Sequence, residues 1–378
     1  MFEEIEAIKK QGLYRSLKTF EVAGARVFDG QRRYLNFSSN DYLGIASRRD
    51  FQREFLEECL RRGDFLMGST SSRLLVGSSK AFEEAEAEIS AAFGRPCLFF
   101  NSGYHANTGI IPALCDSRDL ILADKLVHAS LIDCLKLSGA KWLRFAHNDM
   151  AHLKTLLEKN RPHFRRVFIA TESVFSMDGD FAPLEELVEI KNRFGAHLYV
   201  DEAHGFGVFG EGGLGMCRER GVVSGVDFIM CTLGKALASE GAFVICSESA
   251  REMLVNRSRP LIFTTAMPPL NVLWTLFSFR KMRKMDFERR HLASISGRFR
   301  NSIKSARVLG ESQILAAVVG DAAKCVELSE ALARGGVLAS AVRYPTVAKN
   351  SARIRFSLSA ALSESDVDFC ARLFNNVF

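Results

Sequence analysis

Between residues 80 and 246, short apolar runs alternate with stretches of helical period, and this alternation narrows the possible folds more than any other feature. In Lys80–Phe93 the residues Phe82, Ala85, Ile89 and Phe93 fall on one helical face, and the run Cys97–Phe100 (CLFF) follows directly. Leu120–Ala123, Val167–Ala170, Leu198–Val200, Phe228–Cys231 and Ala242–Cys246 are further runs of strand length. Ala129–Leu137 and Pro183–Phe194 carry helix patterning between them. The second opens on a proline followed by acidic residues, a helix start, since proline gives up nothing where the first-turn N–H is unpaired anyway. The strand-length runs are apolar throughout, so both faces of their sheet must be covered. Repeated β-α alternation then predicts an α/β fold with a mostly parallel sheet flanked by helices.

After about residue 283 the texture changes. A charged helix-like run, Lys284–Lys304, precedes strand candidates at Ile314–Val319, Val337–Val342 and Ile354–Leu358. Helices are expected around Ala322–Ala333 and from Ser363 to the end. This reads as a smaller α+β domain. A chain of 378 residues is too long for one small core and suits a large domain with a smaller companion. The expected division is an N-terminal arm over 1–44, a large domain over 45–282 and a small domain over 283–378, with no internal repeat.

Charge and cysteine content exclude several classes of function. The net charge of +6 is compatible with an anionic ligand but is no nucleic-acid footprint, and a generic soluble surface accounts for it equally well. Nine cysteines, an odd number with no CxxC pair, argue against a disulfide framework and a zinc ribbon, so no metal is expected and the reducing cytoplasm is. The opening MFEEIEAIKK is acidic and amphipathic, unlike a signal or transit peptide. Leu261–Phe279 lacks charge, but Pro268-Pro269, two threonines and Asn271 interrupt it. It reads as a buried loop running into a buried helix, and no membrane span is expected.

Ligands of such sheets sit beyond the carboxyl ends of the strands. Polar residues gather at those ends: Asn101-Ser102-Gly103-Tyr104-His105 after CLFF, Glu172 to Gly179 after VFIAT, Asp201 to Gly205 after HLYV, and Thr232 to Lys235 after DFIMC. Asp201, directly after an apolar strand, needs a cation or hydrogen bonds; alone, it and His204 read equally well as a structural pair. DEAH also spells a helicase box, but that class needs GxxxxGK[ST]. The only GK here, Gly234-Lys235, is followed by Ala236 and has Ile229 in place of the first glycine. Lys235 lies among small neighbours, where lost solvation lowers an amine's pKa and favours imine formation with a carbonyl. Local sequence alone allows a surface lysine in a turn just as well.

Taken together, SGYHAN (102–107), KLVHASL (125–131), SVFSMDGDFAPL (173–184), VDEAHGFGVFG (200–210), TLGKAL (232–237) and FTTAMPP (263–269) make the chain resemble the α-oxoamine synthases, fold type I enzymes that use pyridoxal 5′-phosphate (PLP). The resemblance runs from SSNDYLG (38–44) to ARIRFSLSA (352–360). It implies that Lys235 holds PLP covalently, with room left by its small neighbours, and also acts as general base. Asp201 would pair with the pyridine nitrogen. His204 and Ser176 would orient the ring hydroxyl edge, and His128 would stack on the ring. Backbone N–H groups of Gly103 and Tyr104, with the Thr232 hydroxyl, would hold the phosphate. Thr264 and Thr265 match positions that reach the neighbouring subunit's phosphate, implying an obligate homodimer with a shared active site. Arg355, aided by Asn40, would bind the amino-acid carboxylate. Arg353, two residues away, is expected to face oppositely, so that only one of the two serves. Arg15 and Thr346 match acyl-substrate contacts.

RFAHND (144–149), SMDGDFAPL, TLGKALASEGAFV and the opening GLYRSL (12–17) are most similar to the biotin-pathway branch of the family. That branch condenses L-alanine with pimeloyl-CoA or pimeloyl carrier protein and releases CO₂. One departure is GSTSSRLLVG (68–77), where the family has more glycine and a histidine further on; Lys80-Ala81-Phe82 stands near that place. Glycine C-acetyltransferase and 5-aminolevulinate synthase share the cofactor set but use glycine. Ser72 is smaller than the threonine of the aminolevulinate branch and leaves space for alanine's methyl. An inactive partner subunit, as in the related sphingolipid synthases, would lack the lysine that this chain has.

Overall fold

The computed structural model describes residues 2–10, 14, 16–63 and 65–378. They fall into two compact units, one of residues 41–176 and 180–291, the other of residues 1–40, 177–179 and 292–378. The arm expected over 1–44 is divided: its part up to residue 40 groups with the C-terminal segment, where Arg33–Asn36 pairs with Val337–Leu338, and residues 41–44 belong to the larger unit. The other boundary lies inside the helix Asp286–Ser302 rather than at residue 282.

The larger unit is built on a seven-stranded sheet. Its strands run in the order Cys97–Phe100, Ala242–Ile245, Phe228–Thr232, His197–Asp201, Val167–Glu172, Leu120–Asp124 and Lys141–Phe145. All are parallel except Ala242–Ile245, which is antiparallel to both neighbours. Leu120–Asp124, Val167–Glu172 and Ala242–Ile245 are buried along their whole length, as sheets covered on both faces require. Ile110, Ile111, Leu131 and Leu135 from the helices Gly103–Leu114 and Ala129–Leu137 share a core with Ile121, Phe168 and Tyr199 of the sheet. Register pairs Glu172 with Asp201 and Asp201 with Met230, which lines up the carboxyl ends of the parallel strands.

Lys141–Phe145 is the strand that the sequence conceals. It lies at the sheet edge with Lys141 and Arg144 exposed, so it lacks an apolar run, and its charges discourage further strand pairing. The helix expected from Pro183 begins at Leu184, with Pro183 as its cap. The uncharged Leu261–Phe279 region resolves into a short helix Arg259–Ile262, a loop, and the buried helix Pro269–Met282. Among the described residues no helix is long and apolar enough to cross a membrane.

The smaller unit holds two four-stranded sheets. One pairs Glu21–Ala23, Arg26–Phe28 and Arg33–Asn36 with Val337–Leu338. The other pairs Val308–Leu309, Ile314–Gly320, Ala352–Ser357 and Ser340–Val342. The single strand expected over Val337–Val342 is therefore two, divided at the buried Ala339, because the chain leaves one sheet for the other there. The last helix, Glu364–Val377, starts as expected, with Ser363 and Asp366 forming a reciprocal capping box.

Residues 177–179 join this unit through Gly179. Its φ is +70°, and a Cβ there would stand 2.0 Å from the carbonyl oxygen of Ile314. Gly179→Ala is expected to destabilise the protein by about 2 kcal/mol or more, from the left-handed backbone and the clash together. Urea unfolding checks this, and an unchanged midpoint would refute it.

Candidate active site

Gly103, Tyr104, His128, Glu172, Asp201, His204, Thr232 and Lys235 line one cavity of about 180 Å³ at the carboxyl ends of the large sheet. Asp201 ends its strand 4% exposed. Its Oδ2 accepts from Asn107 Nδ2 at 2.9 Å and its Oδ1 from the Ala203 N–H at 2.9 Å. Asn107 is fixed in turn: its Nδ2 also donates to Ser130 Oγ at 2.8 Å, and its Oδ1 accepts from the Tyr199 hydroxyl at 2.5 Å. Ser130 Oγ lies 2.8 Å from Nδ1 of His128. One buried network thus orients both the carboxylate and the imidazole above it.

Glu172 pairs with Asp201 across the sheet and is 2% exposed. Burial, and then the charge of Asp201, hold its carboxyl well above the usual range, against Lys235 and the N–H groups of His128 and Ser176. Its Oε1 accepts the His128 N–H at 2.5 Å. Burial lowers the pKa of His128, and the charge of Asp201 opposes that.

Lys235 sits on the connection between two adjacent antiparallel strands, Phe228–Thr232 and Ala242–Ile245. The loop is closed by Leu233 N–H to Gly241 O at 2.9 Å and Ser239 N–H to Leu233 O at 3.0 Å, and is tied down by Trp274 Nε1 to Ala238 O at 2.9 Å. Leu233, Ala236 and Leu237 are buried and leave the lysine half-exposed. Gly207, φ +87°, permits this approach, since a Cβ there would lie 2.4 Å from Cβ of Ala236. Lys235 Nζ is 2.8 Å from Nε2 of His204, and His204 Nδ1 is 2.6 Å from the Tyr42 hydroxyl. Glu202 of the DEAH stretch points elsewhere. It is fully buried, accepts from Ser173 Oγ at 2.5 Å and the Cys217 N–H at 2.6 Å, and is held above its usual range by burial.

The helix Gly103–Leu114 opens at the cavity, capped by Ser102, whose hydroxyl accepts the His105 N–H at 3.1 Å. First-turn N–H groups have no partner within the helix, and their dipole favours an anion. Thr232 Oγ1 stands 3.3 Å from the place of a Cβ on Gly103, so only glycine leaves this corner open. An amine, a carboxylate at the cavity floor, an imidazole face and a helix N-terminus match the aldehyde, pyridine nitrogen, ring and phosphate of PLP.

The remaining expected residues lie elsewhere. Ser176 is buried just after the Val167–Glu172 strand. Thr264 and Thr265 are on the loop before Pro269, which Asn101 holds through Nδ2 to Thr265 O at 2.6 Å. In the smaller unit, Arg355 Nη2 donates to Asn40 Oδ1 at 3.3 Å, while Arg353 forms an ion pair with Asp178. The expectation that these arginines face oppositely fails, because side chains two apart on a strand line the same face. Their partners separate them instead. Thr346 is exposed in a turn, its N–H donating to Arg343 O at 3.0 Å, and Arg15 lies outside the described residues. Asn107, Ser130, Glu172 and Tyr42 receive no role from sequence, although Asn107, Ser130 and Tyr42 stand inside the quoted motifs and Glu172 directly precedes one.

The RFAHND stretch has a physical task of its own. His147 Nδ1 is 2.9 Å from Asp124 Oδ1, and its Nε2 is 2.8 Å from Asp180 Oδ2. Burial alone would lower its pKa, but hydrogen bonds and charge from Asp124 and Asp180 outweigh it and raise it to about 10. A charged imidazolium thus clamps the loop that follows Glu172.

Residues 32–373 match the family model described as aminotransferase class I and II. An 8-amino-7-oxononanoate synthase from Haemophilus ducreyi is 45% identical, over 97% of this chain and 97% of its own. A serine palmitoyltransferase from S. paucimobilis, solved with a bound PLP–myriocin aldimine, superposes with a TM-score of 0.91 at 25% identity, covering 100% of this chain and 96% of that one. An 8-amino-7-oxononanoate synthase from Francisella tularensis gives 0.77 at 27% identity, covering 91% of this chain and 97% of its own.

Because the folded state raises the pKa of His147, its contribution to stability is full below the unfolded value near 6.5 and is lost as pH rises through about 10. His147→Gln is expected to cost about 2 kcal/mol at pH 6.5, discounted for partial exposure. The gap from the parent should shrink steadily between pH 6.5 and 10. Urea unfolding across that range checks this, and a pH-independent gap would contradict it.

Proposed function

The chain belongs to the class I and II aminotransferase family and, within it, to the 8-amino-7-oxononanoate synthases, and we propose from that premise how its residues share the work. The enzyme is a PLP-dependent acyltransferase. It joins L-alanine to the acyl carbon of a pimeloyl thioester, releasing the thiol and CO₂ and forming 8-amino-7-oxononanoate for biotin synthesis. The cofactor supplies an electron sink for the carbanion formed at the amino acid's α-carbon.

The observation that carries the assignment of roles is the closeness of Lys235, His204 and Asp201 in one cavity. Lys235 holds the cofactor and its amine takes and returns the α-proton. Asp201, held by Asn107, keeps a proton on the ring nitrogen. His128 offers its face to the ring, and His204 with Ser176 orients the ring's hydroxyl edge. The Gly103 and Tyr104 N–H groups and the Thr232 hydroxyl take the phosphate. Within the smaller unit, Arg355 with Asn40 receives a carboxylate, a task from which the Asp178 ion pair withdraws Arg353. Thr346 and Arg15 contact the acyl substrate, carried on CoA or on a carrier protein.

The working form is a homodimer in which Thr264 and Thr265 reach the neighbouring phosphate. Leu66, Met67, Leu75, Val76 and Phe263 are each more than 60% exposed, an apolar surface that a second copy would cover. Its compartment is the cytoplasm, in keeping with nine buried, unpaired cysteines.

The purified protein with PLP is expected to show a visible-edge absorbance that Lys235→Ala abolishes, with kcat reduced by a factor on the order of 10⁴ or more. L-alanine with pimeloyl-CoA should perturb the spectrum and give product, while glycine with acetyl- or succinyl-CoA should not. The reverse pattern would move the chain to a glycine-using branch, and no bound PLP would end the reading.

A further inference from the structure

Tyr42 takes no part in the roles above, yet it is fully buried beside His204, with ring centroids 6.0 Å apart. It is held there by a turn in which Asp41 accepts the N–H groups of Ile45 at 2.9 Å and Ala46 at 3.0 Å. Leu43 and Ile45, which follow Tyr42 and are both buried, fix the backbone. The phenolic oxygen lies 2.6 Å from Nδ1 of His204, and Nε2 on the other side of that ring lies 2.8 Å from Nζ of Lys235.

A phenol O–H is a stronger donor than the N–H of neutral imidazole, and an imidazole nitrogen is a stronger acceptor than a phenol oxygen, so the better-matched arrangement of this short contact has the hydroxyl donating and Nδ1 accepting. A neutral ring that accepts at Nδ1 must carry its own proton at Nε2. That proton faces Nζ. An N–H···N bond requires a lone pair on the lysine, and an ammonium has none. The opposite tautomer would present a lone pair at Nε2 and favour an ammonium.

We propose that Tyr42 is a positioning residue: by donating to Nδ1 it selects the Nε2–H tautomer of His204, and through it keeps the resting amine of Lys235 neutral and ready to react with an aldehyde. This rests on Lys235 being the cofactor lysine. The other titratable groups facing that amine are Asp201, Glu172 and His128, with Tyr104 on the cavity wall. Asp41 adjoins Tyr42, but its oxygens are turned to its own turn. The charge of Asp201 pulls toward an ammonium, which gives the hydroxyl a force to oppose.

The test uses the cofactor-free protein, so it does not depend on turnover or on the identity of the acyl substrate. Two-bond ¹H–¹⁵N spectra, with His204→Gln to assign the ring, report the tautomer. The pH dependence of Lys235 arylation by fluorodinitrobenzene, read by peptide mass spectrometry, reports the amine. The parent should show the proton on Nε2. Tyr42→Phe, which keeps the ring and removes the hydroxyl, should move it to Nδ1 and raise the arylation midpoint by about one pH unit, roughly a tenfold loss of reactivity at neutral pH. A parent ring protonated on Nδ1 overturns the proposal, as does a Tyr42→Phe protein with tautomer and midpoint unchanged. If that variant does not fold, the parent tautomer decides alone. A protein that passes these tests but binds no PLP would refute the assigned reaction and leave the Tyr42 relay standing.

Discussion

A carboxylate taken out of water has to be met by donors or by a cation, and Asp201 is such a group at the end of a central strand. Much of the surrounding chemistry follows from meeting that demand. Asn107 supplies one donor and is itself oriented by Tyr199; the same amide reaches Ser130, and Ser130 reaches His128. Sheet register then sets a second carboxyl, Glu172, beside the first. Two adjacent negative charges in so dry a place would repel strongly, and burial together with the charge of Asp201 holds the Glu172 carboxyl well above its usual range. Two carboxyl groups, an imidazole and one lysine thus form a set in which each tunes its neighbours' affinity for protons.

What was legible in the sequence had a local cause. Six apolar strand runs stood out because strands buried on both faces have no polar residues to hide them, and the polar clusters that follow marked the ligand-bearing edge. Gly103, His128, Asp201, His204 and Lys235 could be picked out because each stands directly after such a run or inside a motif. What stayed hidden had a distant cause. Lys141–Phe145 has a charged edge pattern, and only its pairing with Leu120–Asp124 makes it a strand. Glu172 is visible, but its affinity for a proton depends on a neighbour supplied by the next strand. Asn107 and Tyr42 are ordinary polar residues until the fold brings Asp201 and His204 to them, and Ser130, a near neighbour of His128 in sequence, joins the network only when Asn107 reaches it.

The DEAH stretch shows how adjacent residues divide between site and scaffold. Asp201 and His204 face the cavity, while Glu202 turns inward to Ser173 and the Cys217 N–H. Arg353 and Arg355 divide in a comparable way without turning apart. They share a strand face, and the ion pair with Asp178 commits one while the other meets Asn40. In both cases the residue type leaves the role open and the partner decides it.

Among the described residues, the loop that bears Lys235 alone connects two strands that lie side by side and antiparallel in the large sheet. The other cavity residues arrive at the ends of crossovers, where added or deleted residues can be taken up without moving a strand. A hairpin closed at both ends has no such slack, because one inserted residue would shift the pairing of Phe228–Thr232 with Ala242–Ile245. Length changes are therefore taken up more readily in the crossovers than in the hydrogen-bonded loop that holds the lysine. Substrate scope can be remodelled in those crossovers while the lysine keeps a fixed address on the sheet.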